Sequence, residues 1–235
     1  MGPLRSSRLR VRDIHRCRDA SLRASLYEQS AGNCDVILRT LSALFVVVCV
    51  FAAVLWGGTN GLRAFTSETA LRIDVAEHPR ALPVVQLQDQ DGRIFRLSDY
   101  LGTPVLVNFM YTRCLTVCSL LGARFERVFR ENDPRHHQFR LLSISFDPKH
   151  DRPTALREYA RRFSADGRVW RIARVIDEKK LPSLLRSFGV VVIPDRSGDF
   201  QHNAAINVID RSRRLTRVLD DDASWSTIAA ALAAP

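Results

Sequence analysis

Cys114-Leu115-Thr116-Val117-Cys118 is the chemically sharpest run in the chain. An i, i+4 spacing sets both sulfurs on one face of a helix about one turn apart, with Cβ atoms roughly 5 to 6 Å from each other. Such a pair can chelate one ion or, with some adjustment, close a disulfide. Dithiol oxidoreductases more often carry Cys-x-x-Cys, so the extra residue points away from simple redox catalysis; two inert core thiols or a structural disulfide are the plain alternative. Two thiolates leave a metal underligated, and a soft ion such as Cu(I) is well served when an imidazole completes a trigonal site. The histidines on offer are His15, His78, His136, His137, His150 and His202. His78, His136, His137 and His150 sit in polar stretches that read as solvated loops, whereas His202 stands at the mouth of an apolar run, Ala204 to Ile209.

The position of the cysteines depends on the elements around them. Pro104 to Tyr111 reads as a buried strand that runs straight into the pair. From Val117 to Arg130 apolar residues recur at Val117, Leu120, Leu121, Phe125, Val128 and Phe129, a helical face. A thiol at a helix start meets unsatisfied N–H groups and the positive end of the macrodipole, which favours a thiolate, and Arg113 beside it pushes the same way. Upstream, Val84–Gln88 and Arg93–Leu97 flank Asp89-Gln90-Asp91-Gly92, an antiparallel hairpin. Downstream come a strand at Phe139–Phe146, a helix from Pro153 to Phe163, a helix at Leu181–Phe188, strands at Ala204–Ile209 and Leu215–Leu219, and a final Ala-rich helix. This order predicts an α/β sandwich of thioredoxin-like type with an N-terminal β-hairpin extension.

A second feature is a run of 23 uncharged residues between Arg39 and Arg63. It exceeds the roughly 20 residues of helix that cross a hydrocarbon core and shows no polar period, so it predicts a single transmembrane anchor over 40–62, with Trp56 at the interface. Arg16, Arg18, Arg23 and Arg39 before it outweigh Arg63, Arg72 and Arg80 after it, which keeps the N-terminus inside. No small-x-small cleavage site follows, and Val47-Val48 before Cys49 argue against a lipoprotein, so the anchor reads as uncleaved. An Arg-rich transit peptide is the rival, countered by Asp13, Asp19 and Glu28. The predicted organisation is a basic inside tail (1–39), the anchor, a polar linker (63–80) and one compact domain (81–235). Of five cysteines, Cys17, Cys34 and Cys49 then fall in the tail and membrane, leaving Cys114 and Cys118 alone in the exported part, where two thiols invite a redox or metal role.

The formal net charge of +10 would suit nucleic acid if concentrated, but residues 1–39 hold eight Arg and four acids, and the remaining +6 is spread over the rest. Nucleic-acid binding is therefore not expected. A composition of 46% hydrophobic and 26% charged residues excludes a disordered or low-complexity chain.

Thr112 to Cys118, then Ser143-Ile144-Ser145-Phe146-Asp147-Pro148-Lys149-His150-Asp151-Arg152-Pro153, then Gly198 to Asp210 through His202, resemble in order and spacing the three signature blocks of the Sco/SenC family. The similarity covers about residues 80 to 233. It implies a membrane-tethered, thioredoxin-fold copper protein that helps assemble the binuclear copper centre of cytochrome c oxidase subunit II. It also implies copper ligation by Cys114, Cys118 and His202, a redox disulfide between the same two cysteines, and a family acid at Asp147, for which turn capping is the alternative role. The implied location of the C-terminal domain is the bacterial periplasm or, alternatively, the mitochondrial intermembrane space. Three positions depart from the family: Leu115 and Ser119 stand where prolines are usual, and Arg152 where threonine is frequent. A metallochaperone is thus expected rather than an enzyme. The rival is a thiol-disulfide reductase acting on the cysteines of the copper-acceptor subunit, which would need both cysteines but not His202. A thiol peroxidase would want Thr three residues before Cys114, where Tyr111 stands.

Overall fold

A computed structural model describes residues 38–59, 61, 66–114, 117–131, 138–196 and 198–233. The chain divides into two units, 1–63 and 64–235.

In the first, helix α1 (Leu38–Gly58) is 21 residues long and none of its apolar side chains is buried within the protein. At 1.5 Å per residue it is about 31 Å long, enough to cross a bilayer core of about 30 Å. It closes as the glycines suggest, since Gly61 takes a left-handed φ of +71° and its N–H reaches the Trp56 carbonyl.

The second unit is built on one eight-stranded sheet formed by β1 (Arg80–Ala81), β2 (Gln86–Asp89), β3 (Ile94–Arg96), β4 (Val105–Met110), β5 (Arg140–Ser145), β6 (Trp170–Val175), β9 (Ile206–Ile209) and β10 (Arg214–Leu219). They lie in the order β1-β10-β9-β4-β5-β6-β2-β3. A separate hairpin joins β7 (Val192–Pro194) to β8 (Phe200–His202). Strands β4, β5 and β6 are parallel, and all their neighbours run antiparallel. The predicted N-terminal hairpin is β2–β3, its turn held by the Asp89 carboxylate, which accepts the N–H groups of Asp91 and Arg93.

Helices cover both faces. Register puts Leu106, Leu141 and Trp170 on one side, where Trp170 packs on Phe125 and Phe129 of α3 (Val117–Glu131). Helix α4 (Pro153–Arg162) lies against α3, with Tyr159 donating to the Cys118 carbonyl. On the opposite side Phe109 meets Phe188 of α5 (Leu181–Phe188) edge to face at 5.0 Å. Helix α6 (Trp225–Ala233) ends the described chain, and Trp225 packs on Phe139. The α/β, thioredoxin-like architecture is the expected one.

Three details differ from the sequence reading. Residues 67–77, expected within a linker, form helix α2 (Ser67–Glu77), capped by the Thr66 hydroxyl, which accepts the Thr69 N–H. Its Val75 is fully buried and Arg72 pairs with Asp220 after β10 at 2.6 Å, so tertiary contacts stabilise a stretch whose own periodicity is weak. Strand β6 was hidden because Arg171 and Arg174 interrupt its apolar run; Arg171 stacks over Phe95 and Arg174 reaches the Gln88 carboxamide. The run expected as a strand from Ala204 begins only at Ile206, and His202 instead ends β8.

Candidate metal centre

In a sheet with a parallel core, sites form beyond the carboxyl ends of the strands. Here β4 delivers Tyr111 to Cys114 at that edge, β5 delivers Phe146 to Asp151, and antiparallel β9 starts there, so the residues before Ile206 arrive from the other direction.

Cys114 and Cys118 are both thiols, 5% and 0% exposed. The Cys114 sulfur accepts the Cys118 N–H at 3.3 Å, and the Ser119 hydroxyl donates to the Cys114 carbonyl at 3.2 Å. Ser119, where the resemblance led to the expectation of proline, thus closes the turn through a hydrogen bond that proline cannot donate. Leu115 lies outside the described residues. Burial, with the Cys114 thiol beside it, pushes the Cys118 thiol well above the ordinary range. The expected thiolate stabilisation at the helix start is therefore outweighed at Cys118 by desolvation. Arg113 does not supply it either: its guanidinium donates to Asp147 at 3.0 Å and to the Gly198 carbonyl.

His202 comes to the pair. Its Nε2 lies 3.3 Å from the Cys118 sulfur, and its Nδ1 faces the Asn203 carbonyl at 3.1 Å. A carbonyl only accepts, so Nδ1 carries the proton and the Nε2 lone pair faces the sulfur. Burial lowers the pKa of His202 below its usual 6.5, which keeps the ring neutral. Phe146 packs edge-on against the imidazole at 4.9 Å and, with Tyr111 and Phe200, forms an aromatic wall. The Tyr111 hydroxyl, pushed up to about 12 by burial, donates to Asp199 at 3.3 Å.

Of the three expected ligands, Cys118 and His202 are in contact, and Cys114 is held through the Cys118 amide. Among the described residues no three His, Cys, Asp or Glu side chains are already gathered around one point. The donor set of two sulfurs and a neutral imidazole fits a soft monovalent copper ion once both thiols shed their protons. Among the described residues, His78 and His150 do not join it. His78 lies 3.4 Å from Asp74 at the end of α2, His150 pairs with Asp147 at 2.8 Å, and His15, His136 and His137 are outside the described residues.

Asp147 is 5% exposed and its carboxylate sits between Arg113 and His150, an ion-pair role in place of the expected alternative of turn capping. Asp151 was not singled out from the sequence, yet it ties the cysteine loop to β5: its carboxylate accepts the Thr112 N–H at 3.0 Å, the Thr112 hydroxyl at 2.6 Å and the Ser145 hydroxyl at 2.5 Å. Asn203 and Tyr111 were also missed, because an isolated Asn or Tyr carries no periodic or spacing signal. Arg152 caps α4 without a side-chain bond, and nothing in the structure explains its presence there.

Comparison with known proteins identifies the family and the fold. The family model described as SCO1/SenC matches residues 76–234, about two thirds of the chain. The SCO1 protein homolog of Bacillus subtilis (strain 168) is 26% identical over 106 residues, 45% of this chain and 55% of that protein, so the chain spans about half the length of this curated relative. The structure of Bradyrhizobium japonicum ScoI with copper bound aligns with a TM-score of 0.54 at 24% identity, covering 64% of this chain and 96% of that one. BsSco, a member of the Sco family of cytochrome c oxidase assembly proteins in which a disulfide switch is identified, aligns with a TM-score of 0.58 at 19% identity, covering 66% of this chain and 92% of that one.

Proposed function

The chain belongs to the SCO1/SenC family, and we propose that it is a membrane-anchored copper chaperone whose cargo is one copper ion held by Cys114, Cys118 and His202. The observation that carries this reading is the bare Nε2 of His202 at 3.3 Å from the Cys118 sulfur, with Nδ1 already engaged. A ring held in that tautomer is prepared to ligate a metal without rotating. Copper arrival displaces the thiol protons and gathers Cys114 onto the ion. Delivery proceeds by exchange of these ligands for those of an acceptor such as cytochrome c oxidase subunit II. Oxidation of Cys114 and Cys118 to a disulfide, with two electrons and two protons passing to an oxidant, removes two of the three ligands and switches binding off. A reductase would need both cysteines but not His202, so the seating of the imidazole against the Cys118 sulfur favours the copper reading.

Helix α1 serves as the anchor, with the N-terminus inside and the C-terminal domain in the bacterial periplasm or the mitochondrial intermembrane space. The full chain in detergent, with thiols reduced, should bind about one Cu(I) per chain, and His202→Ala should weaken it by ten-fold or more. Absence of tight copper, or affinity indifferent to His202→Ala, would sink the reading in favour of the reductase.

A further inference from the structure

Asn203 follows the proposed ligand, and its side chain is engaged twice with the turn that ends α5. Its Oδ1 accepts the Val191 N–H at 2.8 Å, and its Nδ2 donates to the Gly189 carbonyl at 3.0 Å. Asn is the short side chain that offers both an acceptor and a donor; Asp lacks the donor and Ala both. The turn it grips is itself held from the other side. Gly189 caps α5 at a left-handed φ of +69°, and a β carbon there would meet Leu71 Cδ2 of α2 at 2.2 Å. The turn is thus wedged between α2 and Asn203.

The backbone carbonyl of Asn203 is the group that faces His202 Nδ1 at 3.1 Å. Its direction follows from the plane in which the Asn203 side chain holds its own backbone against residues 189–191. A carbonyl in that direction selects the Nδ1–H tautomer and, with Phe146 against the ring at 4.9 Å, sets the ring plane. We infer that Asn203 is a positioning residue: by clamping the Gly189–Val191 turn it fixes the tautomer and orientation of His202, so that the bare Nε2 faces the cysteine pair.

The consequence for copper rests on the reading of His202 as a ligand, whereas the tautomer stands on geometry alone, and the test separates the two. The full chain, reduced, in detergent and labelled with ¹⁵N-histidine, is compared with Asn203→Ala and Asn203→Asp, and His202→Ala assigns the His202 resonances. Long-range ¹⁵N–¹H correlations read the tautomer, and competition with a colorimetric Cu(I) chelator reads affinity. The parent should show Nδ1–H. Asn203→Ala should mix the two tautomers and weaken Cu(I) about ten-fold, the range typical of groups that orient a metal-bound histidine. Asn203→Asp, which keeps only the acceptor for Val191, should fall between, and it decides the matter if Asn203→Ala does not fold. An Nε2–H tautomer in the parent, or a parental tautomer in both variants whatever their melting temperatures, would overturn the inference. Copper affinity unchanged in His202→Ala would instead sink the ligand assignment and leave the tautomer data to decide the role of Asn203.

Discussion

The Cys118 sulfur lies 3.3 Å from Nε2 of His202, a residue 84 positions later in the chain. Two features of the sheet produce this. Strand β9 runs antiparallel to β4, with Asn207 opposite Val107, so its start lies at the end of the sheet where β4 releases the cysteine loop. Hairpin β7–β8 then aligns His202 opposite Val192 and packs Phe200 on Tyr111, which turns the imidazole toward α3.

Removing Arg113 leaves the buried Asp147 carboxylate with the His150 ring as its remaining side-chain partner. Arg113→Ala should destabilise the reduced protein by about 1 to 2 kcal/mol, below the cost of breaking a fully buried pair because the arginine side chain is 47% exposed. Urea unfolding measures it, and the loss should shrink in an Asp147→Asn background. An unchanged midpoint would mean that the pair contributes nothing to stability.

Asp151 should give an inverted pH dependence. Burial holds its carboxyl above the usual 3.8 despite three donated hydrogen bonds. The folded state therefore takes up this proton at a higher pH than the unfolded chain, so its contribution to stability rises as pH falls through the folded pKa toward 3.8. Asp151→Asn removes that contribution. Stability measured by denaturant between pH 7 and 4 should then fall more steeply on acidification than in the parent; an equal or shallower slope refutes the assignment.

Gly122, one turn after Cys118 in α3, marks the closest approach of α4. A β carbon there would lie 2.7 Å from Phe163 Cζ and 2.9 Å from the Tyr159 hydroxyl, the group that donates to the Cys118 carbonyl. Gly122→Ala gains helix propensity of about 1 kcal/mol but must displace both rings, an overpacking cost of about 1 to 3 kcal/mol. The variant should be less stable than the parent, and Phe163→Leu should recover part of the loss. A stabilised Gly122→Ala would show that the rings yield at no cost.

Helix α2 should behave as part of the domain. A chain beginning at residue 81 loses the buried Val75, the Arg72–Asp220 pair and the Asp74–Arg80 pair. Burial of one valine alone is worth about 1.5 kcal/mol or more. Compared with a chain beginning at residue 64, it should unfold at a clearly lower urea concentration. Coincident curves would return residues 67–77 to the role of a linker.

What the sequence by itself determined was local or repetitive. The run from Thr40 to Leu62 has no charge, β4 is apolar but for Asn108, and α3 carries its apolar face at helical spacing, so the apolar helix, the core strand and the cysteine-bearing helix were legible from pattern. The two cysteines declared themselves by spacing, and His202 by its place in a family block. Only the tertiary structure decided the rest. Helix α2 exists because β10 gives Val75 and Arg72 something to pack on, and β6 tolerates two arginines because Phe95 and Gln88 receive them. The state of the Cys118 thiol was decided in the same way: a helix start favours a thiolate, but burial raises the pKa of this one. The tautomer of His202, set by one carbonyl and one asparagine clamp, is a property of distances between residues far apart in sequence, and no local pattern encodes it.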